Sequence, residues 1–386
     1  MRKFLLLALS VVLASGVFLT ACSGSSKEEY RVGAIFAVTG NNSPLGTPEK
    51  QTAELLEQQI NAAGGINGHP LKLVIYDTES DETKAVTLTK KLIEQDKVSA
   101  IIGPSSTGES LAIVPIVTEA KIPLISAAAS IAIVDPAKDR FWVFKTPQSD
   151  VMAVKEIYAY LKAQGKSKIA LITDSAGFGA TGLVQLKGQA PNYGMTIVAD
   201  EKFGSRDTDM TAQLTKIKGS GAEAIITWGT NPGPAVVAKN VRDLRIDIPL
   251  FNSHGIANPQ FISLAGDAAN GVIFPAGKLL VADQLPASDP QKNVLVKYKA
   301  DFEAKYGAGT YSTFGGHAYD ALMIVVNAMK KAGTDKAKIR EEIEKTKGFA
   351  GTGGVFNMSQ TDHNGLSEGA FVLIKVVDGK WTWLKQ

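Results

Sequence analysis

Residues 99–108 read Ser-Ala-Ile-Ile-Gly-Pro-Ser-Ser-Thr-Gly. The apolar run at Ala100, Ile101 and Ile102 is too short for a helix and has no polar face, which marks a strand buried on both sides. Gly103 and Pro104 stop it. Ser105, Ser106 and Thr107 follow, small hydroxyl residues of the kind that open helices. A buried strand that hands its C-terminal end to a helix N-terminus is the unit of a parallel sheet covered by helices.

The same unit recurs on either side. Residues 31–38 form an apolar run of strand length. Residues 49–63 place Leu55, Leu56, Gln59, Ile60 and Ala63 at helical spacing, and Gly64-Gly65 ends the helix because nothing there resists a left-handed turn. Residues 71–76 are rich in β-formers, and Ala85, Leu88 and Leu92 trace the next helix. The series restarts near residue 151, with a helix over 151–163, strands over 168–173 and 195–198, a helix over 209–218 and a strand over 224–227. Two α/β lobes of similar design are expected, with the chain crossing near 146–150. Residues 290–330 are mostly helical in pattern, and 370–384 alternate like an edge hairpin around Asp378-Gly379.

Bulk composition narrows the function. The chain has 386 residues, 45% hydrophobic and 20% charged, with a net charge of +3. Its mean hydropathy of +0.03 excludes a multi-span membrane protein, and the apolar content excludes disorder. A near-neutral balance gives no electrostatic case for nucleic acid. One cysteine makes neither an internal disulfide nor a multi-cysteine zinc site.

That cysteine has a telling position. Arg2 and Lys3 precede an apolar stretch over 4–19, shorter than the roughly 20 residues a spanning helix needs. It ends in Leu19-Thr20-Ala21-Cys22, which resembles a bacterial lipobox. The resemblance implies cleavage before Cys22 and a lipid on its thiol. Residues 1–21 are thus expected to be a lipoprotein signal peptide and 22–29, small and polar, a flexible tether. Order is expected from Tyr30.

Several segments carry candidate chemistry. At Ser106-Thr107 the helix N-terminus can meet an anion with backbone amides, or Ser106 or Thr107 can merely cap its own helix. Ile125-Ser126-Ala127-Ala128-Ala129-Ser130 follows the next strand and leaves room for a ligand, or forms a tight turn. Gly177-Phe178-Gly179-Ala180-Thr181-Gly182 matches a dinucleotide fingerprint on paper, but Asp174, Ser175 and Ala176 separate it from its strand. A loop and a close helix start explain the glycines better. His69, His254, His317 and His363 have no ligand spacing, and neither a nucleophile elbow nor a Walker A motif occurs. No enzyme, metal or cofactor is expected.

In order along the chain, Gly64-Gly65-Ile66-Asn67-Gly68-His69-Pro70, Ile102-Gly103-Pro104-Ser105-Ser106, Pro123-Leu124-Ile125-Ser126, Asp174 with Phe178-Gly179, and Phe261 with Ala265-Gly266 resemble the Leu/Ile/Val-binding type of solute-binding lipoprotein that serves ABC importers. The likeness spans residue 30 to the end. It implies a type I periplasmic binding protein, α/β, with two Rossmann-like lobes joined by three crossovers and a ligand between them. The N-lobe would take 30–147 plus 277–354, and the C-lobe 148–276 plus 355–386.

The resemblance also assigns residues. Ser106, Thr107, Ala128 and Ser130 would meet a ligand carboxylate, which favours the anion reading of both loops. Phe178 and Phe314 would line the side-chain pocket, and Trp228 and Asn231 would face the cleft. Two positions depart from the amino-acid binders. Leu45 stands where an aromatic is common, and His254 stands where an acidic residue holds the ligand ammonium. An imidazole does not replace that carboxylate. Both an amino acid and an aromatic or keto acid therefore stay open as ligand. The expected partners are that small carboxylate and an ABC permease, with the membrane reached through the lipid only. The protein is expected to be a monomer outside the cytoplasm. A sensor domain for a small carboxylate is the alternative.

Overall fold

The structure is a computed structural model and describes residues 27–385. The signal segment and Cys22 lie outside the described residues. At the end of the expected tether, Lys27 Nζ donates to the Asn67 carbonyl at 3.2 Å, so this part rests on the globule.

The first lobe is laid down as β1 (Tyr30–Phe36), α1 (Ser43–Ala62), β2 (Leu71–Asp77), α2 (Glu82–Glu94), β3 (Ala100–Ile102), α3 (Thr107–Glu119), β4 (Leu124–Ser126) and β5 (Val143–Lys145). The sheet order is β2-β1-β3-β4-β5, with every pairing parallel. All three residues of β3 are buried, as an apolar strand with helices on both faces requires. Helix α1 starts at Ser43, six residues before the expected start at 49, and its buried positions begin at Leu45. Pro44 lies in its first turn, where a missing N–H costs nothing.

The second lobe follows as α4 (Asp150–Ala163), β6 (Lys168–Asp174), α5 (Gly177–Tyr193), β7 (Thr196–Phe203), α6 (Thr211–Lys218), β8 (Ala224–Trp228), α7 (Gly233–Asp243), β9 (Leu250–Asn252), α8 (Pro259–Ala265) and β10 (Ile273–Gly277). The chain then forms α9 (Lys292–Tyr306), α10 (Thr313–Ala332), α11 (Lys336–Glu344) and a small ribbon of β11 (Phe349–Ala350) and β12 (Val355–Phe356). It returns as β13 (Phe371–Val377) and β14 (Lys380–Trp383), giving the order β14-β13-β10-β9-β8-β6-β7. The last two strands are antiparallel, turning through Asp378 and Gly379 at φ 48° and 68°. Left-handed values at both positions make this the hairpin turn that matches strand twist.

Side-chain burial decides which lobe the later segments join. Ala321, Leu322, Val325 and Met329 of α10 pack with Val32, Ala34 and Phe36 of β1, so α10 covers the first sheet. Phe356 and Met358 lie in the same core. The expected return to the second lobe at 354/355 is therefore too early, and the chain crosses back between Met358 and Phe371. Each such fully buried side chain is worth about 1.5–3 kcal/mol relative to exposure. In both sheets the strand order reverses at one place, beside β1 and beside β6, leaving a crevice at the C-terminal ends of the strands where ligands of this fold class bind.

Candidate functional site

The two crevices share one cavity of about 160 Å³. At roughly 10–15 Å³ per water it holds on the order of ten water-sized groups, the size of a small organic acid and far below a dinucleotide. The first lobe supplies Leu45 from the first turn of α1, Thr107 and Gly108 from α3, Ala128 from the loop after β4, and Phe314 and His317 from α10. The second supplies Phe178 from α5, Thr230 from the loop after β8, and His254 and Gly255 from the loop after β9. The lobes touch around it. Thr230 Oγ1 donates to Asn42 Oδ1 at 3.4 Å, and Asn258 Nδ2 donates to the Pro44 carbonyl at 3.1 Å.

The start of α3 divides its labour between two hydroxyls. Ser106 Oγ accepts the Glu109 N–H at 3.3 Å, while Glu109 Oε2 accepts the Ser106 N–H at 3.1 Å and its hydroxyl at 2.6 Å. This is a complete capping box, so the capping alternative holds for the Ser106 side chain even though Ser106 also lines the cavity. Thr107 is different. Its Oγ1 is buried without a partner, and the first-turn amides of Thr107 and Gly108 have no acceptor within the helix.

Three expected contacts stand behind the wall. Ser130 Oγ accepts the Ala132 N–H at 3.2 Å, so it braces the loop and does not line the cavity. Trp228 is fully buried and backs Phe178 and His254, with ring centroids 5.7 and 6.0 Å away. Asn231 is buried and donates through Nδ2 to Asn258 Oδ1 at 3.2 Å. Ala128, Phe178, His254 and Phe314 do line the cavity.

Two imidazoles dominate the polar wall. His254 is 6% exposed, both its ring nitrogens lack a partner, and burial, with the Lys145 charge adding, holds its pKa down to about 3. Phe178 and Phe371 stand around its ring at centroid distances of 5.3 Å each. His317 is buried with Nδ1 unpartnered, and burial, then His254 and Lys145, holds it to about 3 as well. Both rings are therefore neutral. Lys145 lies buried at the end of β5, where its ammonium donates to the Pro147 carbonyl. Burial pulls its pKa to about 7, against the attraction of Asp150 and Asp362.

The wall also carries two carboxylates, Glu82 and Asp174. Asp174 Oδ1 accepts the Ala176 N–H and the Ser205 hydroxyl, both at 2.8 Å, and burial raises its pKa. Reading the sequence for metal spacing passed over His317. Its place three residues after Phe314, on the same helical face, is the signal that points to it. Among the described residues, no group of three or more His, Cys, Asp or Glu could hold a metal.

The periplasmic binding protein family model matches residues 29–380. The chain belongs to the periplasmic binding protein family. Its architecture is the type I, Leu/Ile/Val-binding-protein-like form of that family. The Leu/Ile/Val-binding protein homolog 3 of Brucella melitensis is 24% identical, with 96% of this chain and 99% of the relative covered. A crystal structure of an extracellular ligand-binding receptor from Rhodopseudomonas palustris HaA2 superposes with a TM-score of 0.87 at 29% identity, covering 92% of this chain and 100% of that one. The branched-chain amino acid transporter substrate binding protein of Streptococcus pneumoniae, solved with isoleucine, gives 0.82 at 28% identity, covering 93% and 100%. Members of this family are substrate-binding proteins of the extracytoplasmic space. Among the described residues, no helix of this periplasmic binding protein is long and apolar enough to cross a membrane.

Proposed function

We propose that the chain is the lipid-anchored substrate-binding component of an ABC importer of the branched-chain amino acid type, closing its lobes on a small organic carboxylate. The observation that carries this reading is the convergence of Thr107 Oγ1, His254 and His317 Nδ1, buried and unpartnered and drawn from both lobes, on one small cavity. Each orphaned polar atom costs about 1–3 kcal/mol unless something in the cavity bonds it. A ligand that reaches atoms on both lobes favours the closed form by its differential affinity for that form. The free amides at the start of α3 and the positive end of that helix suit a carboxylate. The likeness to relatives named for leucine, isoleucine and valine supports an amino acid or a close analogue. Cys22, at the end of an export-type segment, supports the anchor.

The test is calorimetric titration of the purified protein with leucine, 4-methyl-2-oxopentanoate and benzoate, alongside thermal melts. Saturable binding with a raised melting temperature is expected for at least one. Silence toward small carboxylates as a class would overturn the proposal.

A further inference from the structure

We infer that His254 and His317 form a selector across the cleft that admits 2-oxo or 2-hydroxy acids and rejects the corresponding amino acids. The inference rests on the carboxylate reading above and narrows it. His254 comes from the second lobe, after β9; His317 comes from α10, which is packed in the core of the first. Both line the same cavity. Each neutral ring presents one N–H and one lone pair. An uncharged oxygen beside the ligand carboxylate accepts such an N–H, and a hydroxyl can also donate to the lone pair.

An ammonium group fits this wall poorly. It has three donors and no acceptor, so every imidazole N–H turned toward it is left unpaired. A cation placed between two neutral rings also loses its hydration without gaining a charged partner from either. The competing home for an ammonium is Asp174, whose Oδ1 accepts two hydrogen bonds and whose Oδ2 accepts none, although burial disfavours its charged form. Glu82, the other carboxylate of the wall, is solvent-exposed at the start of α2.

The experiment compares leucine, 4-methyl-2-oxopentanoate and 2-hydroxy-4-methylpentanoate, which differ only at C2, together with benzoate, by calorimetry on the full chain. Wild type is expected to prefer at least one oxygen acid over leucine by tenfold or more. His317→Leu should shrink that ratio toward one, with His317→Gln as the milder variant should the first not fold, and His254→Glu should shift preference toward leucine. Tightest binding of leucine by wild type overturns the inference, as does an undiminished preference in a folded His317 variant. Binding of benzoate but none of the three overturns it and leaves the carboxylate reading standing. Silence toward all four overturns both.

Discussion

Gly182 lies against the indole of Trp228 so closely that a β-carbon at position 182 would stand 2.1 Å from Nε1. The last glycine of the G-x-G-x-x-G run thus makes room for an aromatic ring, and Gly179 likewise presses on the Asp174 carbonyl. The pattern is a packing device. Because Trp228 backs both Phe178 and His254, Gly182→Val should cost about 1–3 kcal/mol through overpacking and also weaken ligand binding. Urea unfolding and titration together check this, and an unchanged midpoint would refute it.

Gly177 plays a related part between the lobes. A β-carbon there would stand 2.8 Å from the Gly108 amide nitrogen, where α5 of one lobe meets α3 of the other. Gly177→Val should leave each lobe folded but hold them apart. Ligand affinity should fall tenfold or more, and the radius of gyration by small-angle scattering should no longer contract on adding ligand.

Thr107→Val replaces an unpartnered buried hydroxyl by a methyl of similar shape. Without ligand the variant should be as stable as wild type or slightly more so, since an orphaned polar group is removed. Ligand affinity should drop by about 1–3 kcal/mol, roughly ten- to a hundredfold. Equal affinity of the two proteins would show that Thr107 does not touch the ligand.

The two imidazoles make stability depend on acid. Their folded pKa of about 3 lies below the ordinary 6.5, so the unfolded chain binds more protons between those values. Their contribution is complete above pH 6.5 and is lost as pH falls toward 3. Urea midpoints at pH 7.5 and 4.5 should fall less in a His254→Gln/His317→Gln double variant than in wild type. Equal falls would contradict burial of neutral rings.

Cys22→Ala removes the proposed lipid acceptor. The variant should no longer incorporate labelled palmitate in growing cells while its ligand affinity stays unchanged, because Cys22 lies apart from the cavity residues along the chain. Undiminished palmitate incorporation by the variant would remove the anchor from the proposal.

The architecture could be read from the chain because burial of apolar side chains repeats with a short local period. Three apolar residues at β3 followed by helix-opening hydroxyls, and two residues with positive φ at Asp378 and Gly379, announce their structure from their immediate neighbours. The cavity has no such signature. Thr107, His254 and His317 lie far apart in sequence, and only packing of α10 on the first sheet brings His317 to face His254. Ser106 and Thr107 are adjacent hydroxyls with equal credentials on paper. Three dimensions give one to Glu109 as a cap and leave the other without a partner. Which polar atom is satisfied depends on neighbours supplied by distant segments, so local pattern reveals the frame while tertiary contact settles the chemistry inside it.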